Sequence, residues 1–223
     1  MTTAGAARPR VAVLVSGNGS NLQAIIDRCT GPQGSIELAA VISDRPEVFA
    51  LERARQAGVA GVTVDYRATG DREAFARSLA AELDRLRPDF VVLAGFMRIL
   101  PATLVDRYRG RMLNVHPSLL PKYPGLDTYR RVLAAGDPWH GATVHFVTAD
   151  LDAGPAIVQY RLRVRPGDTA QSLRERVQAG EHQIYPQAVG WIATGRVTLR
   201  EHTVFMDGAA RAAPVIVDEP SPD

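Results

Sequence analysis

The chain has a single cysteine, Cys29, among 223 residues. No disulfide can form within it, which suits a reducing cytoplasm. Excess charge of one sign is also missing. A net charge of +2 leaves no electrostatic footprint for nucleic acid. No apolar run approaches the ~20 residues of a membrane span, so no membrane is expected. The opening MTTAGAARPR lacks the apolar stretch of a signal peptide. Metal motifs are absent too. His116, His140, His145, His182 and His202 form neither H-x-x-x-H nor H-E-x-x-H, so no metal is expected. There is no G-x-S-x-G elbow to make Ser118 a nucleophile. Repeats are absent, and nothing resembling a linker interrupts residues 10–208.

What is present reads as an ordinary globular chain, with 46% apolar and 22% charged residues and length enough for a sizeable core. Continuous apolar runs at 11–15 (VAVLV), 36–43 and 90–93 (FVVL) predict strands buried on both faces. Shorter strands are expected at 62–66, 112–116 and 142–148. The alternating run 156–164 reads as antiparallel or as an edge, and 197–205 as a last, exposed strand. Helical spacing predicts helices over 21–29, 48–58, 102–108 and 127–135. A longer one begins after Asp71, with Phe75, Leu79, Leu83 and Leu86 on one face. Residues 169–195 predict one long or two joined helices, kinked at Pro186. Strands alternate with helices over the first ~115 residues. That implies an α/β fold with a doubly wound, mostly parallel, twisted sheet and helices on both faces. Residues 11–208 are expected to form one domain, with 1–10 and 209–223 as flexible tails. Arg161, Arg163 and Arg165 alternate on one strand and read as a solvated face.

Two stretches carry chemistry. Ser16-Gly17-Asn18-Gly19-Ser20-Asn21 joins the first strand to the first helix. Glycines allow a close backbone approach, and a helix N-terminus offers free N–H groups and a positive dipole end, so the loop reads as a phosphate cradle. The alternative is a tight turn with Ser20 or Asn21 as N-cap. A dinucleotide is disfavoured because Leu22 stands where a third glycine belongs, and no Walker lysine follows. Asp44, near the end of the second strand, keeps a ribose-binding acid, and hence NAD, open.

The second stretch is MLNVHPSLLPKYPG, residues 112–125. Positions two apart on a strand share a face, so Asn114 and His116 project together. Pro117, Pro121 and Pro124 make the following segment a stiff loop. An imidazole suits proton transfer, and an amide N–H can donate to an oxyanion. The candidate carboxylate is Asp152 in TADLDAGP, expected to leave the same kind of strand end and to favour the imidazolium. His145 reads as part of the site's wall.

SGNGSNLQAIID, LAGFMRIL, NVHPSLLPKYPG, HGATVHFVTADLDAGP and RVQAGEHQIYP together resemble the phosphoribosylglycinamide formyltransferase family, over about residues 11–208. The resemblance implies a Rossmann-like formyltransferase fold. It also implies transfer of the formyl group of 10-formyltetrahydrofolate, a cosubstrate, to the amine of phosphoribosylglycinamide in purine biosynthesis. Asn114, His116 and Asp152 would carry the transfer. The backbone at Gly19, Ser20 and Asn21 would hold the 5′-phosphate, with Leu22 and Gln23 adjacent. Glu181 would bind the ribose hydroxyls, with Gln178 near the phosphate. Met97, Arg98, Ile99 and Leu100 would line the pteridine pocket together with Asn114, and Arg72 would reach the outer folate. The implied partners are small molecules, in the cytoplasm, with a homodimer left open. Asp127 departs from the pattern, because some relatives carry a histidine just after PGL. Two relatives with other activities share the SLLP segment. A formyltetrahydrofolate deformylase would be expected to carry an N-terminal regulatory domain, and a methionyl-tRNA formyltransferase a C-terminal domain for tRNA. A Rossmann-type binding module without catalysis would leave Asn114, His116 and Asp152 unused.

Overall fold

A computed structural model describes residues 7–220. Residues 1–6 and 221–223 of the two expected tails lie outside the described residues. The first strands are β1 (Arg10–Val15), β2 (Glu37–Ser43), β3 (Gly61–Thr63), β4 (Phe90–Leu93) and β5 (Met112–His116), which follow the apolar runs closely except for β3, which stops three residues short of the expected 62–66. Between them lie α1 (Ser20–Cys29), α2 (Phe49–Gln56), α3 (Arg72–Leu86) and α4 (Ala102–Arg107). After β5 come α5 (Thr128–Ala135), β6 (Trp139–Phe146), β7 (Ala156–Arg163) and α6 (Ala170–Ala193). The chain closes with β8 (Val197–Arg200), β9 (Thr203–Met206), β10 (Ala209–Ala210) and β11 (Val215–Asp218).

One eight-stranded sheet runs β11-β7-β6-β5-β4-β1-β2-β3. From β3 to β5 every pairing is parallel, as the βαβ alternation predicts. β6 then pairs antiparallel with both β5 and β7. β1 shows why its run is apolar throughout. Val11, Val13 and Val15 enter one core, with α1 and α6, while Ala12 and Leu14 enter a second, with α3 and α4. The α3 stripe Phe75, Leu79, Leu83 and Leu86 is buried as its spacing requires, and the Asp71 side chain caps the helix by accepting from Ala74 N–H at 2.7 Å.

Three expectations need correction. The exposed strand over 197–205 is a hairpin, β8–β9, turning at Glu201 and His202, with Glu201 at φ 54°. The loose tail over 209–223 contains β11, which pairs in parallel with β7, so β7 is not an edge. Arg161 and Arg165 are not merely solvated. Arg161 Nε donates to Asp218 Oδ1 at 2.7 Å, and Arg165 Nη2 to Glu219 Oε2 at 3.1 Å. Apolar Val215 and Val217 pack on the core, and the opposite charges fix the register. α6 is one 24-residue helix with Pro186 inside it. It approaches β7 closely enough that a Cβ on Gly180 would lie 2.0 Å from the Tyr160 ring, which is why a helix interior tolerates glycine there. Among the described residues, no helix is long and apolar enough to cross a membrane.

Candidate active site

β1 is flanked by β2 on one side and β4 on the other. The connections leaving β1 and β4 therefore diverge, opening the crevice where α/β sheets bind ligands. The glycine loop leaves β1 there. α1 is capped by Gly19 at φ 76° with no side-chain cap bond. The tight-turn alternative required Ser20 or Asn21 as cap, and neither serves. No side chain therefore accepts from the first-turn N–H groups, which leaves them for a ligand. A Cβ on Gly19 would lie 2.7 Å from Ala50 Cβ and 2.9 Å from its Cα. Only glycine lets α2 pack here, with Ala50 N–H donating to Gly17 O at 3.1 Å.

α6 closes the other side of this loop. Gln178 Nε2 donates to Ser20 Oγ at 2.8 Å, and Asn21 Nδ2 donates to Glu181 Oε2 at 2.8 Å. Gln178 and Glu181 are three apart on α6, one helical turn, so both face α1. Glu181 is buried, and its burial pushes the carboxyl up to about 7 against the opposing bond from Asn21. Leu22 is fully buried and can offer a ligand only its backbone. The Gln23 amide is turned away, donating to Asp27 Oδ1 at 2.8 Å.

Asn114 and His116 project from β5 as the alternation predicts, opposite His145 and Thr143 of β6. His116 Nε2 lies 2.9 Å from Tyr123 O and its Nδ1 lies 3.3 Å from Asp152 Oδ2. A carbonyl and a carboxylate both accept, so a doubly protonated ring satisfies both contacts. Asn114 Nδ2 lies 3.3 Å from His145 Nε2, while His145 Nδ1 sits 2.9 Å from Phe146 O. Amide nitrogen donates and carbonyl oxygen accepts, which fixes His145 as the neutral Nδ1–H tautomer. Its burial agrees, pushing the imidazole down to about 4. His145 thereby holds the Asn114 amide in one orientation, a role with no signal in the sequence beyond its expected place in the wall.

Asp152 reaches His116 by a different route from the one expected. β6 runs antiparallel to β5, with Phe146 opposite Leu113, so the loop leaves at the far end and folds back. Two features permit this. Asp152 adopts φ 52°, and a Cβ on Gly154 would lie 1.7 Å from Phe146 O. Gly125 N–H then donates to Asp152 Oδ2 at 2.8 Å, tying this loop to the proline-rich one. That loop is pinned from below. Leu120 N–H donates to Thr143 Oγ1 at 3.0 Å, Thr143 Oγ1–H to Ser118 O at 2.7 Å, and Gln159 Nε2 to Leu120 O at 2.8 Å.

The loop after β4 forms the remaining wall. Met97 and Ile99 are 63% and 59% exposed, and Leu126 and Leu151, on the loops just described, 80% and 57%. Leu100 instead enters the core beside Phe96. Arg98 Nε donates to Asp44 Oδ2 at 2.7 Å and its guanidinium lies 3.9 Å over the Tyr66 ring. The Asp44 side chain is fully buried. The acid that kept a dinucleotide open is thus committed to an arginine. Arg72 stands exposed at the start of α3. Asp127, the departure beside PGL, is exposed at φ 57° just before α5. Among the described residues, no group of three or more His, Cys, Asp or Glu could hold a metal ion.

The formyl transferase family model matches residues 9–189. Phosphoribosylglycinamide formyltransferase of Escherichia coli is 52% identical over 198 residues, 89% of this chain and 93% of that protein. The trifunctional purine biosynthetic protein adenosine-3 of Bos taurus is 43% identical over 195 residues, 87% of this chain and 19% of that longer one. Among solved structures, phosphoribosylglycinamide formyltransferase from Coxiella burnetii superposes with a TM-score of 0.88 at 46% identity, covering 94% of this chain and 99% of its own.

Proposed function

The chain belongs to the formyl transferase family, and from that premise we propose that it transfers the formyl group of 10-formyltetrahydrofolate to the amine of phosphoribosylglycinamide, in purine biosynthesis. The convergence of Asn114 and His116 from β5 with Asp152 from a folded-back loop is the observation that supports this reading most directly. The residues fit both substrates. A phosphate suits the uncapped start of α1, and ribose hydroxyls suit the buried Glu181 carboxylate. A flat heterocycle suits the exposed apolar side chains of Met97, Ile99, Leu126 and Leu151. Arg98, held by Asp44, stands beside that pocket, and Arg72 can meet the polar groups of the outer portion.

The amine attacks the formyl carbon, and negative charge develops on the formyl oxygen. The second N–H of Asn114, not engaged by His145, donates to that oxygen. His116 has both nitrogens occupied, so it reaches the oxyanion by exchanging the Tyr123 carbonyl for the reacting oxygen. The Asp152 carboxylate, 3.3 Å from His116 Nδ1, orients the ring and relays the proton that moves from the attacking amine towards the leaving nitrogen. The reactants are small molecules, and neither nucleic acid nor membrane takes part. The free, buried thiol of Cys29 is in keeping with a cytoplasmic site of action.

A formyl-transfer assay that follows folate absorbance tests this. Turnover requiring phosphoribosylglycinamide is expected. Turnover without it would select hydrolysis, with water as acceptor.

A further inference from the structure

The cradle has an unmet electrostatic requirement. Residues 16–23 contain no lysine or arginine, and the basic residue of α1 is Arg28, in its last turn. A phosphomonoester brings nearly two negative charges, against which backbone N–H groups supply only partial ones. The missing cation comes from α2. Arg53 Nε donates to Asn18 O at 2.9 Å, Nη2 to Asn18 Oδ1 at 3.1 Å and Nη1 to Gln23 Oε1 at 3.0 Å. Its Cδ lies 3.5 Å from where a Cβ on Gly19 would stand, and its guanidinium lies 4.7 Å from the centre of the Phe49 ring.

All three acceptors are neutral. Among the described residues, no carboxylate lies within ion-pair distance of Arg53. Asp27 is tied to it only through the Gln23 amide. The guanidinium therefore keeps its charge while its geometry is fixed by three bonds. Its field already reaches α6. His182 is held below the ordinary imidazole range first by burial, then by the positive charges of Arg28 and Arg53.

We propose that Arg53 is a positioning residue of the phosphate site: it fixes Asn18 and Gln23 on either side of the Gly19–Leu22 cradle and supplies the cation that the nucleotide's phosphomonoester requires. This rests on the function proposed above and deepens it.

The test compares wild type with Arg53→Met and Arg53→Lys. It reads KM for each substrate, kcat, inhibition by inorganic phosphate, and thermal melting. For Arg53→Met, the nucleotide KM and the phosphate inhibition constant should both rise roughly 10- to 100-fold. The folate KM and kcat should stay within about twofold, because the proposed reaction centre is built from β5 and the loop after β6 rather than from α2. Arg53→Lys keeps charge without the fork and should recover most of the phosphate affinity. Raising ionic strength should weaken the nucleotide in the wild type more than in Arg53→Met, since only the former has the charge to screen. The proposal is overturned if Arg53→Met leaves the nucleotide KM unchanged. It is equally overturned if both KM values rise together with a lowered melting temperature, or if salt affects both proteins alike. Calorimetry with inorganic phosphate reads the same residue without turnover, so failure of the formyl-transfer reading would be seen separately. Wild-type protein that binds no phosphate in calorimetry would also overturn it.

Discussion

At one end of the cleft, polar side chains are already paired with one another, around the buried Asn21 and Glu181; at the other, apolar side chains stand exposed. The proposed nucleotide end has Asn21 on Glu181, Gln178 on Ser20 and Arg53 on Asn18. The proposed folate end has Met97, Ile99, Leu126 and Leu151 open to solvent. The difference follows from what each ligand offers. Hydrogen bonds are directional, so a site for phosphate and ribose must be built before the ligand arrives. Apolar contact is not directional, so side chains on loops can close over a ring after it lands. Asn114, His116 and Asp152 stand at the junction of the two.

Breaking the junction should give the largest effect and should spare both ends. Asp152→Asn keeps size and most hydrogen-bonding capacity but removes the charge facing His116. Steady-state kinetics should show kcat lowered by roughly 10²- to 10⁴-fold, with both KM values little changed. Near-normal turnover would make Asp152 a tie for Gly125 and nothing more.

Breaking the nucleotide end should be selective. Glu181→Ala should weaken the nucleotide by roughly 30- to 150-fold and leave the folate KM alone. Equal losses would mean that the two ends are not separable. Glu181 also gives this end a pH signature. Its carboxyl ordinarily titrates at 4.5 and is pushed up to about 7. Between those values the folded chain holds a proton that the unfolded chain has shed, so stability falls as pH rises, by at most about 3 kcal/mol. His140 and His145 act oppositely. Both are pushed from 6.5 down to about 4 by burial, so in that window the unfolded chain binds more protons and stability rises with pH. Glu181→Gln removes only the opposing trend. Melting curves at pH 5 and pH 7 should show a larger gain over that interval in the variant than in the wild type. In the wild type, nucleotide affinity should strengthen as pH rises through 7, where the carboxylate proposed to accept the ribose hydroxyls forms.

The folate end should yield the smallest change. Asp44→Asn keeps an acceptor for Arg98 but loses the charge assistance. A rise of about fivefold in folate KM is expected, with the nucleotide unaffected. A matching loss on the nucleotide would show that Asp44, at the end of β2, holds the crevice as a whole.

The parts legible in the sequence are those whose physics is local. VAVLV and FVVL are apolar throughout because each strand is covered on both faces, and they predict β1 and β4 to within a residue. Asn114 and His116 share a face because strands alternate. The parts that were not legible depend on partners far along the chain. Nothing in RPEVFALERA marks Arg53 as the clamp on Asn18, 35 residues earlier. Asp44 looks like a ribose-binding acid until Arg98, 54 residues on, is seen against it. The Glu201–His202 turn carries no glycine, proline or asparagine, so the hairpin gave no sign. β11 was missed because a short PVIVDEP stretch is held by Arg161 and Arg176, 57 and 43 residues away.

That last strand also decides how the molecule responds to being held. β11 is joined to β7 along its length. Glu219 N–H donates to Arg161 O at 2.8 Å, and Arg176 Nε donates to Glu219 Oε1 at 2.8 Å. A surface tether, magnetic bead or degradation machine gripping the chain beyond Pro220 therefore pulls on a strand of the main sheet. On β7 it meets Gln159, paired opposite Ile216, whose side chain holds the proline-rich loop at Leu120 O, so the strand that carries the load is also the one that anchors the loop of the candidate site.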